Sequence, residues 1–162
     1  MNKSENRKVI DGLPDQNEAV IFNIQQTGYY RVNYDENNWK LIIKQLKEDH
    51  TTIHVVNRAQ IIDDALNLAR AGLLKYQLAL DVTSYLHKEN EYIPWEAALS
   101  GLQYLDVMLK QTTAYGDFKR YMRTLIDPLY YKIGYQMQPT DEHLDIYLRK
   151  SAVNWACKLG NP

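Results

Sequence analysis

The sequence predicts a mainly α-helical fold of stacked antiparallel helix pairs, preceded by one or two β-strands. Three observations predict it. Apolar residues recur at helical spacing from residue 36 onward, in six separate runs. The runs are parted by short polar or glycine-containing connections, which favour antiparallel neighbours. Two-residue alternation occurs before residue 36, in Tyr29–Tyr34, close behind a short β-branched run.

The chain divides into residues 1–19, a polar tail or loop, residues 20–35, the strand-like part, and residues 36–162, the helical part. Asp11-Gly12-Leu13-Pro14-Asp15 punctuates the tail as a turn. Val20-Ile21-Phe22-Asn23-Ile24 is apolar and β-branched. Tyr30, Val32 and Tyr34 fall on one face of the second run, and Gln26-Thr27-Gly28 is the turn or bulge between the two. Two strands alone are not stable in water, so they call for a sheet that this chain does not contain.

Asp35 suits the N-cap of a first helix carrying Trp39, Ile42, Ile43 and Leu46. His50-Thr51-Thr52-Ile53 interrupts it. The second helix takes Asn57 as N-cap and Gly72 as its stop, with Ile61, Ile62, Ala65, Leu66, Leu68 and Ala69 making a face wide enough for burial on more than one side. A third runs over Tyr76–Lys88. A fourth carries Pro94 in its first turn, where proline is tolerated, then Ala98, Leu102, Leu105 and Leu109. The fifth, from about Tyr115 to Lys132, is expected to kink or split at Pro128 and to end at Gly134. Thr140 is the expected cap of the sixth, and Gly160 its C′ residue. No fixed-period repeat accompanies the six helices.

Bulk properties exclude several classes. The chain has 162 residues, 45% hydrophobic and 24% charged, with net charge −1. That is one globular domain, large enough for its own core. Near-neutral charge argues against nucleic-acid binding, which needs clustered cations to displace counterions from phosphates. No run approaches the roughly 18–20 apolar residues of a membrane span, and Met1–Lys8 lacks the apolar segment of a secretory signal. The thirteen tyrosines suit half-buried helix–helix and domain surfaces. Asn2-Lys3-Ser4 is a nominal glycosylation acceptor in the tail.

Candidate chemistry is sparse. His50 and His54 are four apart, but the Thr51-Thr52-Ile53 between them reads as a loop, and a metal needs about three convergent ligands. His87 and His143 sit at charged helix ends. No HExxH pair for a catalytic zinc is present.

Five blocks carry a resemblance: Gly28-Tyr29-Tyr30-Arg31-Val32-Asn33-Tyr34-Asp35 with Asn38-Trp39; Asn57 to Ala65 continuing through Gly72; Glu91 to Leu99; Tyr115-Gly116-Asp117-Phe118; and Asn154 to Gly160. In this order they resemble zinc-dependent aminopeptidases of the aminopeptidase N type, at the junction of the β-sandwich and the helical C-terminal domain. The resemblance implies an incomplete curved stack of helix pairs, an α-solenoid, with strands left over from the sandwich. Cut there, the stack exposes an apolar face, and marginal solubility is expected. It implies that the family motif positions Gly28, Tyr30, Arg31, Asn33, Tyr34, Trp39, Asn57, Arg58, Gln60 and Asp63 are structural, with Arg31, Asn57, Arg58 and Asp63 in one hydrogen-bonded network or, alternatively, as ordinary surface charges. No catalytic or metal residue carries over, and this chain is expected to need no cofactor. Zinc is implied for a parent enzyme that removes N-terminal residues from peptides on the outer face of the plasma membrane or after secretion. The implied partners are the catalytic and β-sandwich domains and the peptide substrates. The family also implies that Cys157 is half of a disulfide, its partner lying beyond Pro162; an inert buried cysteine is the alternative. A stand-alone helical-repeat interaction module, or a pseudoenzyme, is the rival reading of the same chain.

Overall fold

The computed structural model describes residues 15 and 17–160; most of the tail expected over 1–19 lies outside them. Six α-helices follow one another: α1 (Glu36–Asp49), α2 (Val55–Arg70), α3 (Tyr76–Thr83), α4 (Tyr92–Leu109), α5 (Tyr115–Ile133) and α6 (His143–Leu159). They form two layers. Lys88 of the 3-10 turn Ser84–Lys88 reaches the carbonyl of Lys47 at the end of α1. Tyr121 of α5 reaches Leu80 of α3, and Lys132 reaches Asn90. Thus α1, α3 and α5 run in the same sense. In the other layer Arg70 of α2 lies over Tyr104 of α4, and Lys158 of α6 pairs with Asp106 of α4. Consecutive helices oppose: Arg123 of α5 donates to the carbonyl of Leu159, while Arg149 of α6 donates to that of Ile133.

The core lies between the layers. Trp39, Ile42 and Leu46 of α1, Ile61, Ile62 and Ala65 of α2, Trp95, Ala98 and Leu102 of α4, and Met122 and Ile126 of α5 are essentially sealed from solvent. Each such large apolar side chain contributes roughly 1.5–3 kcal/mol. Gly101 sets the closeness of the α2–α4 contact, because a Cβ there would stand 2.5 Å from Cδ1 of Leu66.

Several expectations are corrected. No strand occurs among the described residues: Val20–Ile24 and Tyr29–Tyr34 have no neighbouring strand to pair with, and a 3-10 turn occupies Ile24–Gln26. Asn57 is not an N-cap. Helix α2 begins three residues earlier, capped by Nδ1 of His54 on the amide of Val56, which frees Asn57 to be buried inside it. The third helix leaves α geometry at Ser84. Helix α5 runs unbroken through Pro128, because Pro128 and Thr124, whose carbonyl loses its donor, both face solvent. Glu142, not Thr140, caps α6, in a capping box with Asp145. Asp35 does cap α1, accepting from the amide of Asn38 at 2.8 Å, and Gly72, Gly134 and Gly160 follow the ends of α2, α5 and α6 with positive φ.

Candidate functional site

Helix α2 buries an unusual set of polar side chains. Asn57, Arg58, Gln60 and Asp64 are all at most 6% exposed, a cost that only hydrogen-bond partners offset. The partners come from two places: the segment before α1, and the turn before α4.

The first place is the N-terminal segment. Asn57 accepts from the amide of Gln25 at 3.0 Å and donates to the carbonyl of Asn23 at 3.3 Å and to Gln60 at 2.8 Å. Gln60 donates to the carbonyl of Phe22. Asp64 accepts from the amide of Val32 at 3.0 Å, and Arg31 donates to both Asp63 and Asp64. Partial burial opposes the Arg31 charge, but the hydrogen bond and charges of the two aspartates outweigh it and raise its pKa. Burial pushes Asp64 up, against the pull of the Val32 amide and Arg31.

Within the segment, Asn23 closes a loop by donating to the carbonyls of Gly28 and Tyr30 and accepting from the amide of Gly28 at 2.7 Å. Gly28 lets the Tyr30 ring lie close, because a Cβ there would stand 2.3 Å from that ring and displace it. Asn23, Gln25 and Gln26 all hold positive φ, a conformation costing non-glycine residues of order 1 kcal/mol or more. Tyr34 accepts from the amide of Phe22 and meets Trp39 edge-on at 5.1 Å. Asn33 links Trp39 Nε1, at 3.0 Å, to the carbonyl of Leu73. Asn38 grips both backbone groups of Val20 at 2.8 Å. An open cleft of about 430 Å³ lies beneath Tyr29, Tyr30 and Arg31.

The second place is a buried ion pair. Arg58 meets Glu89 through Nε at 2.7 Å and Nη2 at 3.2 Å, with side chains 7% and 1% exposed. The Glu89 carboxylate also accepts from the Tyr85 hydroxyl and from the amides of Asn90 and Glu91, which lead into α4. Its backbone carbonyl accepts from Trp95 Nε1. The remaining Arg58 nitrogen donates to the carbonyl of Ile53 at 2.7 Å. One carboxylate thus ties α2, the Ser84–Lys88 turn and the start of α4.

The ten motif positions therefore fall into two centres rather than one network. Gly28, Tyr30, Arg31, Asn33, Tyr34, Trp39, Asn57, Gln60 and Asp63 gather where the N-terminal segment meets α1 and α2. Arg58 faces the other way. Sequence reasoning gives Asn23, Asn38, Asp64, Tyr85 and Glu89 no site role. The doubled Asp63-Asp64 was the available signal for Asp64; Glu89 sits in a charged run that reads as solvated. Cys157 is exposed and free. His50 lies 3.9 Å from Glu89 and away from any metal cluster. No group of three His, Cys, Asp or Glu side chains converges among the described residues. The described residues offer no ligand set that fits zinc. No described helix is long and apolar enough to cross a membrane.

The described residues form a two-layer helical stack with a polar junction at its first helices. Residues 19–162 match the model of the ERAP1-like C-terminal domain, and the chain belongs to that family. It is 44% identical over 144 residues to aminopeptidase N of Plutella xylostella, covering 89% of this chain and 15% of that protein. Against human aminopeptidase N the identity is 43% over 150 residues, 90% of this chain and 16% of that one. The mouse thyrotropin-releasing hormone-degrading ectoenzyme is 38% identical over 168 residues, 99% of this chain and 15% of its own. The chain thus spans about 15% of the length of these curated relatives.

Proposed function

We propose that the chain is the non-catalytic C-terminal portion of a zinc aminopeptidase that removes N-terminal residues from peptides, and that its helices cap the active site. The observation that carries this reading is the alignment of nearly the whole chain with one segment of aminopeptidase N relatives. Zinc and the groups that hold it belong, on this reading, to the catalytic portion. On this reading residues 20–35 lead from that protein's preceding domain into the helices. Cys157 pairs with a cysteine of the longer protein, and the enzyme works on the outer face of the cell, as the word ectoenzyme says of one relative.

The polar side chains of α2 meet the segment that leads toward the N-terminus, which is where a preceding domain attaches. The test is a segment exchange. Residues 19–162 replace the matching stretch of the Plutella xylostella enzyme, and hydrolysis of an amino-acid nitroanilide is followed with zinc content. Retained hydrolysis in the exchange, and none in a deletion of the stretch, is the expected result. A folded, zinc-loaded exchange without activity, joined to tight capture of a protein partner by the isolated chain, favours the stand-alone interaction module instead.

A further inference from the structure

Between Ile21 and Tyr34, both packed against the core, no residue joins it. Residues 22–33 are held instead by polar contacts: Gln60 on the carbonyl of Phe22, Asn57 on Asn23 and Gln25, Asp63 and Asp64 on Arg31 and Val32, and, beside the Tyr34 pivot, Trp39 and the carbonyl of Leu73 on Asn33. At the edge of this segment the amide of Phe22 donates to the Tyr34 hydroxyl at 3.0 Å, and the two rings stack with centroids 6.3 Å apart. Its interior carries three non-glycine residues with positive φ, Asn23, Gln25 and Gln26, so the clipped form stores backbone strain that opening relieves. At its tip Tyr29 is fully exposed and Tyr30 is 60% exposed.

We infer that residues 22–33 form a strap that unclips from α2 as one unit, pivoting on Ile21 and Tyr34, while the six helices stay folded. The ingredients are those of a low-stability unit: no buried apolar anchor, tethers made by side chains, and local strain. Opening carries Tyr29 and Tyr30 away from α2 and frees Asn57, Asp63 and Asp64 for other donors. The contacts belong to this chain alone, so the strap does not depend on the aminopeptidase reading.

Native-state hydrogen exchange on the 162-residue chain tests it. The amide of Gln25, bonded to Asn57, and that of Val32, bonded to Asp64, report the clips at the two ends of the strap. Both are expected to exchange about 100-fold or more faster than Ile62 and Leu102 in the core. Arg31→Ala, at a half-exposed position, is expected to speed both by about 3–10-fold, the worth of a charge-assisted surface pair, with Ile62 and Leu102 unchanged. Asp63→Asn, also on the exposed side of the pair, is the second variant and shares the expectation. Strap amides as slow as the core overturn the inference. So does acceleration of Val32 without Gln25, which means separate clips. Equal acceleration of strap and core also overturns it, since strap and helices are then one cooperative unit.

Discussion

Removing Glu89 is expected to destabilise the chain more than any surface charge does. Its carboxylate is 1% exposed and receives five hydrogen bonds: two from Arg58, one from Tyr85, and one each from the amides of Asn90 and Glu91. Glu89→Ala leaves the Arg58 guanidinium buried without its counterion and strips two amides ahead of α4. Breaking a buried pair from one side costs about 3–5 kcal/mol. Against a typical total of about 5–15 kcal/mol, that is a large share, and it lowers Tm by roughly 6–20 °C for a chain of this size. Arg58→Ala falls in the same range, because it also orphans the carbonyl of Ile53. The double variant is expected to lose less than the two singles together, by about 1–3 kcal/mol, since neither charge is then left alone. The assay is urea unfolding of all four proteins by circular dichroism at neutral pH. Single losses below about 1 kcal/mol, additive in the double, refute the reasoning, because they are the values of an exposed, screened pair.

Other predictions follow from single contacts. Gly101→Ala drives a methyl against Leu66 and is expected to cost about 1–3 kcal/mol, read as a lower urea midpoint that Leu66→Ala partly restores in the double variant. Asp35→Ala removes the cap of α1 and is expected to cost about 1 kcal/mol, read the same way. Burial pushes Tyr121 from its ordinary 10.0 up to about 12, despite its bond to Thr83. A raised folded-state pKa means full stability below pH 10.0 and loss as pH rises through about 12. That loss is expected to reach about 2–3 kcal/mol, and Tyr121→Phe to remove that part of the alkaline slope. Asp141 is held low by the Gln138 amide and then by Arg149, so its share of stability is present above pH 3.8 and fades below it. A shallower acid slope for Asp141→Asn checks this.

The helices were legible because their apolar spacing is a local pattern. Trp39, Ile42 and Leu46, or Ala98 and Leu102, can only point one way once the helix forms. The start of α2 was misread because Asn57 is a good cap by type, yet the structure spends it on Asn23 and Gln25, more than thirty residues away in sequence. Alternation in Tyr29–Tyr34 describes a strand correctly only where a partner strand exists, and among the described residues Asn23, Asp63, Asp64 and Trp39 are the partners instead. The motif blocks put Arg31 and Asp63 in one group with Asn57 and Arg58, or as ordinary surface charges, and name no pair; the structure joins Arg31 to Asp63. The Arg58–Glu89 pair was not foreseen, because nothing in the run His87-Lys88-Glu89 marks one charge as buried and its neighbours as exposed. Long-range polar pairing leaves no periodic trace in a sequence.

The most direct measurement reads the native transcript on both sides of the segment encoding Met1–Pro162. An in-frame HExxH upstream, with a cysteine codon a short way downstream to pair with Cys157, is the expected result for a portion of a working zinc aminopeptidase. An in-frame stop immediately upstream of Met1, with no HExxH in the message, contradicts it and leaves a helical module that acts without an enzyme of its own.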